Sequence, residues 1–166
     1  MTVNRSGIVQ QPDQGSSYWM FNNDLYTFKA AGEDTGGVYS LMELLVQPNS
    51  GAPLHMHSRE DESIYILEGE FQFQLGEQTI VATAGTFLYC PKHLSHGFTN
   101  IGEKPAKFLT WHTPSGLEKF FAQVGVPAVD RLAPPVFSKA DIEEKILAFS
   151  PSHGVEVIPP PTEHLS

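Results

Sequence analysis

Cysteine is nearly absent: the 166-residue chain has one, Cys90, so it can form neither an internal disulfide nor a thiolate metal cluster. Positive charge is also scarce. Ten Lys and Arg stand against nineteen Asp and Glu, a formal net charge of −9 with neutral histidines. That is the wrong sign for phosphate-backbone binding, so nucleic acid and anionic membrane surfaces are excluded as default partners. Long apolar runs are missing too. The longest, Leu41 to Val46, is broken by Glu43 and falls far short of the roughly 18 residues a membrane span needs. The N-terminus has no apolar core of the secretory kind, and a cytoplasmic protein is expected.

What the chain does have is glycine, proline and histidine. Fourteen Gly and thirteen Pro are spread along its length, which favours many turns and short strands over a helical bundle, within about one domain's worth of chain. From Tyr18 to Leu109, β-forming runs alternate with turn clusters, as in a sandwich or barrel. Phe71, Phe73 and Leu75 alternate with Gln72 and Gln74, which gives one buried and one wetter face. Strands are predicted at Tyr18–Phe21, Leu25–Lys29, Tyr39–Val46, His55–His57, Glu62–Glu68, Glu70–Leu75, Gln78–Ala82, Thr86–Cys90, His96–Asn100 and Ala106–His112. After Pro114 the period changes. Leu117, Phe120, Phe121 and Val124 are spaced as one face of a short helix ending at Gly125, and Ser138 caps a second helix carrying Ile142, Ile146 and Phe149. The division expected is an N-terminal arm (1–17), a β-domain (18–113), a helical extension packed on it (114–157) and a tail (158–166).

Seven histidines make imidazole the first place to look for chemistry. His55 and His57 are two apart, so on a strand both rings point to one face and can reach one ion. Glu62 follows five residues later and opens an apolar strand. A carboxylate beside two neutral imidazoles in apolar surroundings is costly unless a cation compensates it. By this chain's own composition, His-x-His-x4-Glu arises by chance about 0.02 times, and requiring Gly69 lowers that to roughly 0.002.

The stretch from Gly85 to Asn100 completes the pattern. His55, His57, Glu62 and Gly69, followed by Gly85, Pro91, His96 and Asn100, resemble the two sequence motifs of the cupin superfamily. The resemblance implies an all-β double-stranded β-helix, a jelly-roll barrel, here with one or two short C-terminal helices. It also implies metal ligands at His55, His57, Glu62 and His96, and a homodimer. Gly51 precedes His55 by three intervening residues rather than five. His93 stands where the second motif has Gly, and His tolerates a positive φ better than most residues. Tyr18–Trp19, Thr27 to Gly37, His57 to Glu62 and Phe120–Phe121 are similar to a bacterial quercetin 2,3-dioxygenase-like subgroup.

The ligand set suits one divalent transition metal ion: Fe, Mn, Ni, Co or Zn. The expected function is a metal-dependent dioxygenase acting on a small enol or phenolic substrate, with Glu62 as both ligand and catalytic base. Two alternatives stand beside it: a non-enzymatic small-ligand-binding cupin, and a metal-assisted isomerase or lyase. His93 and His112 are second-line candidates for a role at the site. Glu60 and Asp61 read as a solvated turn, Cys90 as a small buried residue, and His153 and His164 as loop and tail residues. Tyr18, Trp19, Phe21, Tyr65, Tyr89 and Phe98 are candidates for an apolar pocket, or for core.

Overall fold

Alternation along the strands dictates the sheets. In Ala106–Thr113 the residues Ala106, Phe108, Thr110 and His112 are buried while those between them are partly exposed, and Ser40–Val46 alternates likewise. A period of two lays one face of each strand on the core. The computed structural model describes residues 6–159. Its strands are β1 (Ser17–Trp19), β2 (Leu25–Ala30), β3 (Ser40–Val46), β4 (Gly51–His57), β5 (Asp61–Glu68), β6 (Glu70–Leu75), β7 (Gln78–Thr83), β8 (Phe87–Cys90), β9 (His96–Asn100), β10 (Ala106–Thr113), β11 (Val126–Pro127) and β12 (Val155–Val157). The helices are α1 (Gly32–Thr35), α2 (Leu117–Val124) and α3 (Lys139–Phe149). No described helix is long and apolar enough to cross a membrane.

The strands form two antiparallel sheets, one ordered β11-β1-β2-β3-β10-β5-β8 and the other β12-β4-β9-β6-β7. Met42, Ile64 and Phe108 from the first sheet and Phe71 and Phe73 from the second meet in one core. This is the jelly-roll double-stranded β-helix expected. Two motif glycines are explained by contact. Gly69 has φ +85, and a Cβ there would lie 2.4 Å from Ala106 Cβ; at Gly51 a Cβ would lie 1.9 Å from the Phe98 carbonyl oxygen. Asn100 of the second motif ties down the loop that follows it. Its amide donates to the carbonyls of Val46 and Lys104, and its Oδ1 accepts from Gly102 N–H.

The C-terminal extension is more than helical. β11 adds to β1 and β12 adds to β4, so residues 114–157 contribute a strand to each sheet and cover edge groups that would otherwise be unpaired. Buried Glu118 fastens α2 to α1 by accepting from Gly32 N–H at 3.0 Å, and closes the start of its own helix by accepting from Gly116 N–H at 2.7 Å. Ser138 caps α3 through Ala140 N–H, as its position before the apolar spacing suggested. Three local differences from the sequence reading stand out. β4 begins at Gly51 rather than His55, Phe21–Asn23 is a 3-10 turn rather than the end of a strand, and Gly32–Thr35 is a helical turn. The proline in β4 is accommodated because the ladder with β9 shifts register between Ala52 and His55. The tail at 160–166 lies outside the described residues, whereas Ile158 N–H still bonds to the Leu54 carbonyl.

Candidate metal centre

Strand register brings the site together. His55 on β4 pairs opposite His96 on β9, and Glu62 on β5 pairs opposite His112 on β10. His57 shares the face of His55, with ring centroids 5.0 Å apart. One ligand atom from each of His55, His57, Glu62 and His96 lies within 4.8 Å of all the others. The four residues expected from sequence are therefore one cluster.

Two of the three imidazoles are oriented by what their other nitrogen touches. His55 Nδ1 is 2.8 Å from the Pro53 carbonyl oxygen and His96 Nδ1 is 2.9 Å from that of Leu94. An N–H donated to the Pro53 carbonyl leaves Nε2 of His55 with its lone pair toward the site, whereas His96 Nε2 faces Glu62 and gives up its proton when a cation binds. His57 Nδ1 is buried, lies 4.0 Å from Glu62 Oε2, and has no hydrogen-bond partner. Leaving such an atom unpaired costs about 1–3 kcal/mol, a cost a bound cation removes. The donor set and this orphaned nitrogen both fit a divalent metal.

Glu62 is held asymmetrically. Oε2 accepts from His96 Nε2 at 2.9 Å, whereas Oε1 accepts from the Thr110 hydroxyl at 2.6 Å and lies 3.5 Å from His112 Nε2. Burial by itself would raise this carboxyl, but His112 and His96 beside it outweigh that and hold it well below the usual carboxylate range. Burial pushes His55 down to about 4, reinforced by His96, and pushes His57 down to about 2 against the pull of Glu62. Burial also acts downward on His96, yet its bond to Glu62 carries it above the ordinary imidazole value. Near neutral pH the site thus presents two uncharged imidazoles and a carboxylate, forms that bind a metal without first losing a proton.

Two of these residues escaped the motif pattern. Thr110 was not singled out, and His112, a second-line candidate, is buried at the Glu62 carboxylate. His93 adopts the positive φ expected, +68, and its N–H bonds to the His57 carbonyl, so it shapes the loop. Glu60 corrects the sequence reading: it is 4% exposed, not a solvated turn residue, with Oε2 unpartnered and its carboxyl raised by burial. Asp61, also expected in a turn, instead opens β5 opposite Thr113 and accepts from Lys92 N–H at 2.9 Å. Buried Cys90 has its thiol pushed up to about 12 by burial and by Glu62, which makes it inert. Of the aromatic candidates, Phe21 and Phe98 line the cavity over the site. Tyr65 and Tyr89 are exposed instead, while Trp19 is buried away from the cavity lining. His153 stacks on Phe120 at 5.6 Å, and His164 lies outside the described residues.

Comparison with known proteins places this geometry. Residues 42–112 match the family described as Cupin domain. The uncharacterized protein MJ1618 of Methanocaldococcus jannaschii is 35% identical over 75 residues, 45% of this chain and 60% of that protein. Quercetin 2,3-dioxygenase of Bacillus subtilis is 20% identical over 132 residues, 80% of this chain and 39% of that protein. The chain therefore spans less than two thirds of the length of either relative. Among solved structures, KdgF from Halomonas sp. superposes with a TM-score of 0.62 at 15% identity, covering 69% of this chain and 99% of that one. The match runs from β3 through β10, the strands that carry the ligand cluster, and the solved structure shares the double-stranded β-helix fold.

Proposed function

We propose that the protein holds one divalent transition metal ion through His55, His57, Glu62 and His96 and acts as a metal-dependent dioxygenase on a small enol or phenolic substrate. The observation that carries this reading is Glu62: an anionic, buried carboxylate with one oxygen held by Thr110 and the other turned toward three imidazoles. The likeness to quercetin 2,3-dioxygenase across 80% of the chain supports the reaction class. A bound metal of this kind supplies Lewis acidity and, for Fe, Mn, Ni or Co, redox chemistry with dioxygen. The chain's own residues do the rest. Glu62 accepts the proton of the substrate hydroxyl, Thr110 keeps Oε1 from rotating, and the apolar walls exclude water from the reacting end. Dioxygen is the oxidant and both its atoms enter the product, so no external reductant is consumed.

Oxygen uptake by the metal-loaded protein with a panel of enediols, enolised dicarbonyls and flavonols tests the proposal. Uptake that depends on metal and falls at least about a hundredfold in Glu62→Gln is the expected result. Turnover that persists without oxygen points instead to an isomerase or lyase. A ligand that co-purifies unchanged, with no turnover of any substrate, points to a binding protein.

A further inference from the structure

The walls of the site set a limit on what reaches it. The cavity over the four ligands has a volume of about 80 Å³. That is several times the roughly 10–15 Å³ one water requires, and well below the roughly 300–1,000 Å³ of sites for drug-sized molecules. Its closure is the work of the C-terminal extension: Phe120 and Phe121 from α2, Ile146 from α3, and Val155 and Val157 from β12 all line it. Outside this wall lies a second hollow of about 490 Å³, bordered by β4, β9 and α3. Phe21, Ala52, Pro53, Phe98, Ile146 and Val157 line both spaces and so form the partition between them. Phe98 is fixed by stacking on Phe73 and Phe108, at 5.6 and 5.0 Å. Ile146 sits on α3, where only Ile142 is fully buried, and its own side chain is the easiest part of the wall to remove.

We propose that this partition restricts the site to ligands of a few heavy atoms, such as small enediols or enolised dicarbonyls, and excludes three-ring phenols, with Ile146 as the specificity-determining residue. The proposal rests on the metal-centre reading for where the ligand's oxygen end lies; the size limit comes from the wall alone. A three-ring flavonol fits only if the inner cavity and the outer hollow become one space. Truncating Ile146 joins them without touching a ligand of the metal.

Calorimetry on the cobalt-loaded protein, with visible absorption followed on the same samples, tests it using acetylacetone as the small probe and quercetin as the large one. The wild type is expected to bind acetylacetone and not quercetin. Ile146→Ala is expected to gain quercetin affinity by at least about tenfold while its acetylacetone affinity changes by less than about threefold. Quercetin binding to the wild type as tight as acetylacetone, or acetylacetone failing to bind, overturns the size limit. If Ile146→Ala still excludes quercetin, the assignment to Ile146 falls; Ile146→Trp, expected to weaken acetylacetone binding, checks the same wall from the opposite direction. Because binding is read without turnover, small-probe selectivity with no oxygen uptake sinks the dioxygenase reading alone. Failure of the protein to take up cobalt sinks the metal reading, and the size limit is then decided by whether Ile146→Ala gains quercetin affinity over the wild type.

Discussion

The two ends of the barrel are built from the same inward positions and filled with opposite chemistry. Along β5 the inward residues run Glu62, Ile64, Ile66; along β9 they run His96, Phe98, Asn100; along β10 they run His112, Thr110, Phe108. At one end, imidazole rings sit 4.4 to 5.6 Å apart around a carboxylate. At the other, Phe71, Phe73, Phe98 and Phe108 pack with centroids 5.0 to 6.1 Å apart. Both are ring clusters of similar spacing, but their energetics differ. The phenylalanine cluster gains from apolar burial and offset ring contacts. The histidine cluster keeps an orphaned nitrogen and a buried charge whose cost a bound metal would offset. One end stabilises the fold, and the other draws on that stability to hold a site in a costly arrangement.

The comparison is broken first at the aromatic end, where the largest effect is expected. Phe108→Ala leaves a cavity beside the fully buried Phe71 and Phe73, and should cost about 3–5 kcal/mol of unfolding free energy in urea titration. Metal stoichiometry of the fraction that remains folded should not change; a stoichiometry that falls with stability contradicts the separation of the two ends. The next effect is smaller and belongs to the polar end. Thr110→Val keeps the outline of the side chain but removes the 2.6 Å bond to Glu62, and should weaken metal affinity about 10- to 100-fold while costing about 1–3 kcal/mol of unfolding free energy.

The smallest effect is one of pH. His55 is held down to about 4 chiefly by burial, so its lone pair persists as pH falls through the ordinary imidazole range and is lost only as pH approaches 4. In the metal-free protein the His55 ring resonances should therefore remain those of a neutral imidazole from pH 7 to about 5 and change below it. A His55 transition centred near pH 6.5 indicates that this ring is solvated rather than enclosed.

How much of this was legible in the sequence depended on spacing. His55, His57, Glu62 and His96 were found because two motifs fix them within short stretches of chain, and the strands between were marked by alternation and turn residues. Thr110 and His112 lie 48 and 50 residues from Glu62, and only the β5–β10 register makes them neighbours. No local pattern signals a pairing of that range. Glu60 was misread for a related reason. Its sequence neighbours are polar, but Gly116 from the C-terminal extension closes over it, where a Cβ would lie 3.4 Å from Glu60 Oε1. The two added strands, β11 and β12, are two and three residues long, too short for a periodic signal.

The central claim is that the histidine end of the barrel is a metal centre. Elemental analysis of the purified protein and of His57→Ala, with circular dichroism confirming that both are folded, tests it most directly. The account predicts close to one transition metal ion per chain in the wild type and at least about tenfold less in the variant. Equal metal content in the two, or none in the wild type after incubation with Fe, Mn, Ni, Co and Zn salts, would contradict it.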